Sequence, residues 1–145
     1  MKKLNITFAT VLVVLGCFAM GSVLSASAST PTPVPVTITA VYNFSTFPNV
    51  TGTFTTTGLG GISGNSTMHV DPLGALGTTV AHCVVTLFPS TGGSIIIDQE
   101  CQFATSPPKG RWEIVSGTGA YANLNGNGSL TMPPNSEAMT GVIFQ

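Results

Sequence analysis

From Val36 onward the chain is broken by Gly, Pro or Asn about every eight to twelve residues, and the intervals are rich in Thr, Val, Ile and Phe. No interval reads as a convincing helix, and the spacing with β-branched and aromatic content is the signature of an all-β sandwich or barrel. The predicted strands are Val36 to Phe44, Gly52 to Thr57, Ser66 to Val70, Thr78 to Phe88, Ser94 to Phe103, Arg111 to Ser116, Gly128 to Met132 and Met139 to Phe144. Asn125-Gly126 and Asn127-Gly128 read as turns, because Asn and Gly accept the positive φ of tight hairpins.

The N-terminus is read apart from the fold. Lys2 and Lys3 precede an apolar run from Ile6 to Leu24, and Ala26-Ser27-Ala28 offers a small-x-small cleavage pattern. A signal peptide over 1–28, cleaved after Ala28, is expected, giving a secreted, periplasmic or cell-surface protein with no stable membrane insertion afterwards. Two alternatives stay open: an uncleaved N-terminal anchor, since the run is nearly long enough to span a bilayer, and lipid attachment at Cys17. Residues 29–35, with Pro31, Pro33 and Pro35, read as an extended Pro/Thr-rich linker. The domain proper is 36–145.

Only 6% of residues are charged, against roughly 25% in an ordinary soluble domain. After leader removal the basic side chains are Lys109 and Arg111 alone, too few to neutralise a run of phosphates, so nucleic acid is excluded as a partner. The high apolar content drives burial and argues against disorder.

Cys83 and Cys101 are then the remaining cysteines, and an even number in an exported chain suggests a disulfide. Gly92 is nine residues from each, so a hairpin folded about Thr91-Gly92-Gly93 sets the two directly opposite, within bridging range. The alternative is a pair of free buried thiols acting as small hydrophobes. In this register one face carries Ala81, Cys83, Val85, Leu87, Ile95, Ile97, Gln99, Cys101 and Phe103, and is expected inside. The other carries His82, Val84, Thr86, Phe88, Ile96, Asp98, Glu100 and Gln102. The same alternation puts Trp112 and Ile114 inside and sends almost every ionisable group outward.

Most chemical motifs read as structure. Gly117-Thr118-Gly119-Ala120-Tyr121-Ala122 matches a dinucleotide fingerprint in letters, but turn residues follow where that motif needs a helix. No nucleophile elbow, phosphate loop or zinc-protease motif occurs. His69 and His82 lack metal-ligand spacing, and Asp98 with Glu100 makes too poor an oxygen cage for calcium, so no metal and no cofactor are expected. Thr51-Gly52-Thr53-Phe54-Thr55-Thr56-Thr57, a single T-x-T run, is read as ordinary strand. Gln99 stands apart, because an amide on the inner face must find partners or a ligand.

The segment Gly110 to Leu130, with Trp112, Ile114, Gly117-Thr118-Gly119-Ala120-Tyr121-Ala122, Leu124, Gly126 and Gly128, resembles that of secreted bacterial proteins related to the allene oxide cyclase and dirigent barrels. The resemblance implies an eight-stranded antiparallel β-barrel with an apolar interior, often oligomeric, without substantial helix. In it Gly117, Thr118, Gly119, Tyr121, Gly126 and Gly128 form a structural motif, with Tyr121 plugging a barrel end. It carries over no catalytic residue. Tyr42, Phe54, Gln99, Phe103, Trp112 and Tyr121 are candidates for lining a cavity that binds a small apolar molecule. The other readings are a structural surface protein, with Phe88, Ile96 and Val84 in a homo-oligomer interface, and a cyclase, isomerase or stereochemical guide acting by shape, with Gln99 or Tyr42 as its polar group.

Overall fold

The computed structural model describes residues 30–72 and 79–145. The strands β1 (Val34–Asn43), β2 (Asn49–Thr57), β3 (Ser63–Pro72), β4 (Val80–Pro89), β5 (Ser94–Gln102), β6 (Lys109–Thr118), β7 (Asn125–Thr131) and β8 (Ser136–Phe144) follow one another around a closed antiparallel barrel. β8 closes on β1, with Ile38 opposite Met139 and Ala40 opposite Glu137, which removes the open edges of a flat sheet. The helical turns among the described residues are three-residue 3-10 turns at Phe44–Thr46, Leu59–Gly61 and Gly119–Tyr121. No described helix is long and apolar enough to cross a membrane. The leader expected over 1–28, Cys17 with its alternative of lipid attachment, and residues 73–78 lie outside the described residues.

All eight predicted strands are present, with shifted ends. β1 begins at Val34, where Val34 and Pro35 pair with Ile143 and Val142, so the linker gives its last residues to the barrel. The interior is one apolar cluster of alternating residues, including Ile38, Phe54, Met68, Val85, Leu87, Ile95, Ile97, Leu130, Met139 and Ile143. In β6 the alternation is reset by a bulge: Ile96 faces Ser116 but Ile97 faces Ile114, so Val115 is the extra residue and both it and Ser116 face outward.

Three expectations are corrected. In the β4–β5 hairpin Cys83 faces Gln99 and Ala81 faces Cys101, so the cysteines are diagonal neighbours and not directly opposed. The register differs from the expected one by two residues. A shift of two preserves the side-chain faces, so the inner set from Ala81 to Cys101 is buried as expected. Phe103 is the exception at 43% exposed, because β5 ends at Gln102 and alternation ends with it. Asn125-Gly126 and Asn127-Gly128 are strand residues of β7, not turns. Gly128 lies between Trp112 and Gly141 in the cross-strand row. A Cβ at Gly141 would come within 2.7 Å of Trp112 Cζ2, and one at Gly128 would meet the Thr140 carbonyl. The glycines therefore make space for backbone and indole to approach.

Candidate functional site

Connections β1–β2, β5–β6 and β7–β8, with the end of β3 and the start of β4, lie at one end of the barrel, here called the upper end. The lower end carries Tyr121, which is buried in the turn after β6 and shares a 2.8 Å hydrogen bond between its hydroxyl and that of Thr91 in the β4–β5 turn. Gly119 supplies the positive φ of 63° that begins this turn. Gly117 has no room for a Cβ against Tyr121, so the glycine motif shapes the lower end.

The chemistry lies towards the upper end. Glu137, the first inward residue of β8, is 0% exposed. The Tyr42 hydroxyl, from the last inward residue of β1, donates to Glu137 Oε2 at 3.1 Å, and Gln99 Nε2 on β5 donates to Oε1 at 2.6 Å. Gln99 Nε2 also lies 3.2 Å from Met139 Sδ. Cys101 Sγ is 3.9 Å from Gln99 Oε1 and 3.6 Å from Cys83 Sγ, both sulfurs being free thiols. Gly52 lets the Tyr42 ring lie flat across β2, since a Cβ there would sit 2.9 Å from Tyr42 Cδ1. Ser66, next in the same cross-strand row, is 1% exposed and places its hydroxyl beside the Tyr42 phenol.

Burial governs the protonation of this cluster. Loss of solvation pushes the Glu137 carboxyl up to about 7, and the bonds from Tyr42 and Gln99 hold it from going further. The Tyr42 phenol is raised by burial first and by the Glu137 charge second, so it remains protonated and donates. The Cys101 thiol is raised by its contact with Cys83 and by burial, so it remains a thiol. An apolar barrel thus holds one carboxyl that can take or give a proton near neutrality, with a fixed phenol donor beside it.

The candidate cavity residues separate. Tyr42 and Gln99 meet at Glu137. Phe54 and Trp112 are buried in the wall and core, and the Trp112 indole Nε1 donates to the Ser129 and Thr140 carbonyls at 3.0 and 3.3 Å. Tyr121 is at the other end, and Phe103 is on the upper rim with the exposed Phe44 and Phe47. Glu137 is not among the candidates because the predicted last strand begins at Met139, which leaves it outside any strand, whereas β8 begins at Ser136. Extending the alternation of Met139 and Ile143 back by two residues would have placed it inside.

The other charges line the outer wall. His82 pairs with Asp98, Arg111 Nη2 with Glu100 at 2.8 Å, and His69 bridges Asn49 at 2.6 Å and Asp71 at 3.1 Å. A shallow groove of about 590 Å³ runs among His82, Asp98, Glu100, Arg111 and Glu113. No group of three His, Cys, Asp or Glu among the described residues is arranged to hold a metal ion. Comparison of the chain with protein-family models, with curated proteins and with solved structures finds no match.

Proposed function

We propose that the protein is an exported barrel that takes up a small, mostly apolar molecule at its upper end, where Glu137 exchanges a proton or hydrogen bond with the molecule's one polar group. The observation that carries this reading is the Glu137 carboxyl, held by Tyr42 and Gln99 inside an apolar barrel. A structural barrel has no need of that arrangement, since burying an ionisable group costs stability that apolar residues of similar volume would not. The buried Ser66 hydroxyl, beside the Tyr42 phenol, adds a further polar group to this end of the barrel. Tyr42, Val70, Ala81 and Met132 retain slight access at the upper end, below the exposed rings of Phe44, Phe47 and Phe103. The reading places entry at this end.

A second reading, isomerisation or cyclisation of the bound molecule, is favoured by one observation: Glu137 and Tyr42 pair a carboxyl titrating near neutrality with a phenol that stays protonated. The implied resemblance to allene oxide cyclase and dirigent barrels is consistent with either reading.

Native mass spectrometry of the full mature chain with decanol, an apolar chain ending in one hydroxyl, tests uptake. The expected result is a stoichiometric adduct that dodecane does not form and that Glu137→Leu weakens at least about tenfold, the scale of one hydrogen bond to a charged group. Equal retention of decanol by wild type and variant, or no adduct, would overturn the reading in favour of a closed structural barrel.

A further inference from the structure

Gln99 occupies a position that uptake of a ligand does not explain. Its Nε2 donates to Glu137 Oε1 at 2.6 Å while its Oε1 faces the Cys101 sulfur at 3.9 Å, and that sulfur lies 3.6 Å from Cys83. The row Cys83, Cys101, Gln99, Glu137, Tyr42 therefore links two thiols to the carboxyl through one amide. We infer that Cys83 and Cys101 are a redox pair whose oxidation is relayed to Glu137 through the side chain of Gln99. The inference rests on Glu137 being the working group proposed above.

The step is thiol–disulfide exchange with a small disulfide oxidant: two Cys–SH and R–S–S–R give Cys–S–S–Cys and two R–SH, the protons leaving on the released thiols. Both sulfurs are buried, so the oxidant gains access through local opening. Closing the bond draws the sulfurs from 3.6 Å to about 2.05 Å and removes both S–H groups. Gln99 Oε1 then loses its S–H neighbour, and the amide polarisation that strengthens its N–H bond to Glu137 weakens. The carboxylate is less well held, so oxidation favours the protonated carboxyl. The titratable groups facing Glu137 are Tyr42 from β1, Cys83 from β4 and Cys101 from β5. β2, β3 and β7 turn in Phe54, Ser66, Met68 and Leu130, none of which titrates, and Glu100 on β5 points outward to Arg111.

The test follows the ¹³C carboxyl resonance of Glu137, assigned by its loss in Glu137→Gln, through a pH titration of the full mature chain. One sample is reduced with dithiothreitol and one oxidised with oxidised glutathione, the bond being verified by loss of two hydrogens in mass. The expected midpoint is about half a pH unit higher in the oxidised form. In Gln99→Met the pair still oxidises but the two midpoints coincide, and Cys83→Ala shows no change on exposure to the oxidant. Coincident midpoints in the wild type, or glutathione adducts in place of the internal bond, would overturn the relay while leaving Glu137 as the working group. A carboxyl titrating in the ordinary range in both forms would overturn that reading too.

Discussion

Glu137 sets how stability responds to pH. Its folded carboxyl titrates at about 7 where an exposed one titrates at 4.5, so the folded state holds its proton more tightly than the unfolded state. The stability tied to this proton is fully present below pH 4.5 and is lost as pH rises through 7, with a plateau above. A shift of that size corresponds to roughly 3 kcal/mol. Glu137→Gln keeps an acceptor oxygen for the Gln99 amide and turns an N–H donor towards the Tyr42 oxygen, but never ionises. Urea unfolding should therefore show the variant insensitive to pH from 5 to 8 in this contribution, and more stable than wild type at pH 8. An unchanged pH slope would mean that the carboxyl is not buried. Tyr42→Phe removes a bond that favours the carboxylate, and the Glu137 midpoint should rise by about one pH unit. Carboxyl NMR reads that shift directly.

Among the elements, β7 and β8 are shaped by Trp112. The indole lies where Gly128 and Gly141 have no side chains, and it donates to the Ser129 and Thr140 carbonyls across the pair. Gly141→Val forces a branched side chain against the Asn127 carbonyl and the indole ring and should cost at least about 1–3 kcal/mol, the range for overpacking. Trp112 is the sole tryptophan, so its fluorescence during urea unfolding reports both the stability loss and the displaced ring. An undisturbed spectrum and midpoint would contradict this packing. Asn-Gly pairs misled at this element because local turn preference is the same in a hairpin and at a site of close backbone approach. The difference lies in the cross-strand neighbours, which a strand's own residues do not record. The β4–β5 register was hidden for a related reason: alternation fixes the face, and a slip of two residues leaves every face unchanged.

At the scale of the molecule, closure of β8 on β1 joins the ends of the domain and brings Glu137 to Tyr42 across a separation of 95 residues. The eight strands were legible because β-branched runs and turn residues act locally. The polar cluster was legible only in part: Gln99 and Tyr42 stood out as polar residues on inner faces, while Glu137 depended on where β8 begins and on which strand closes the barrel. The same closure predicts that a chain ending at Asn135, lacking β8, does not fold. Circular dichroism and amide exchange should find it without a cooperative transition, and a folded truncated chain would show that closure is dispensable. The most direct measurement of the central claim is isotope-edited infrared spectroscopy of the glutamate carboxyls between pH 4 and 9. The account predicts a protonated C=O band from a dry environment that disappears with a midpoint near 7 and is absent in Glu137→Gln. Complete loss of every protonated band by pH 5.5 would contradict it, because Glu137 would then be an ordinary solvated acid.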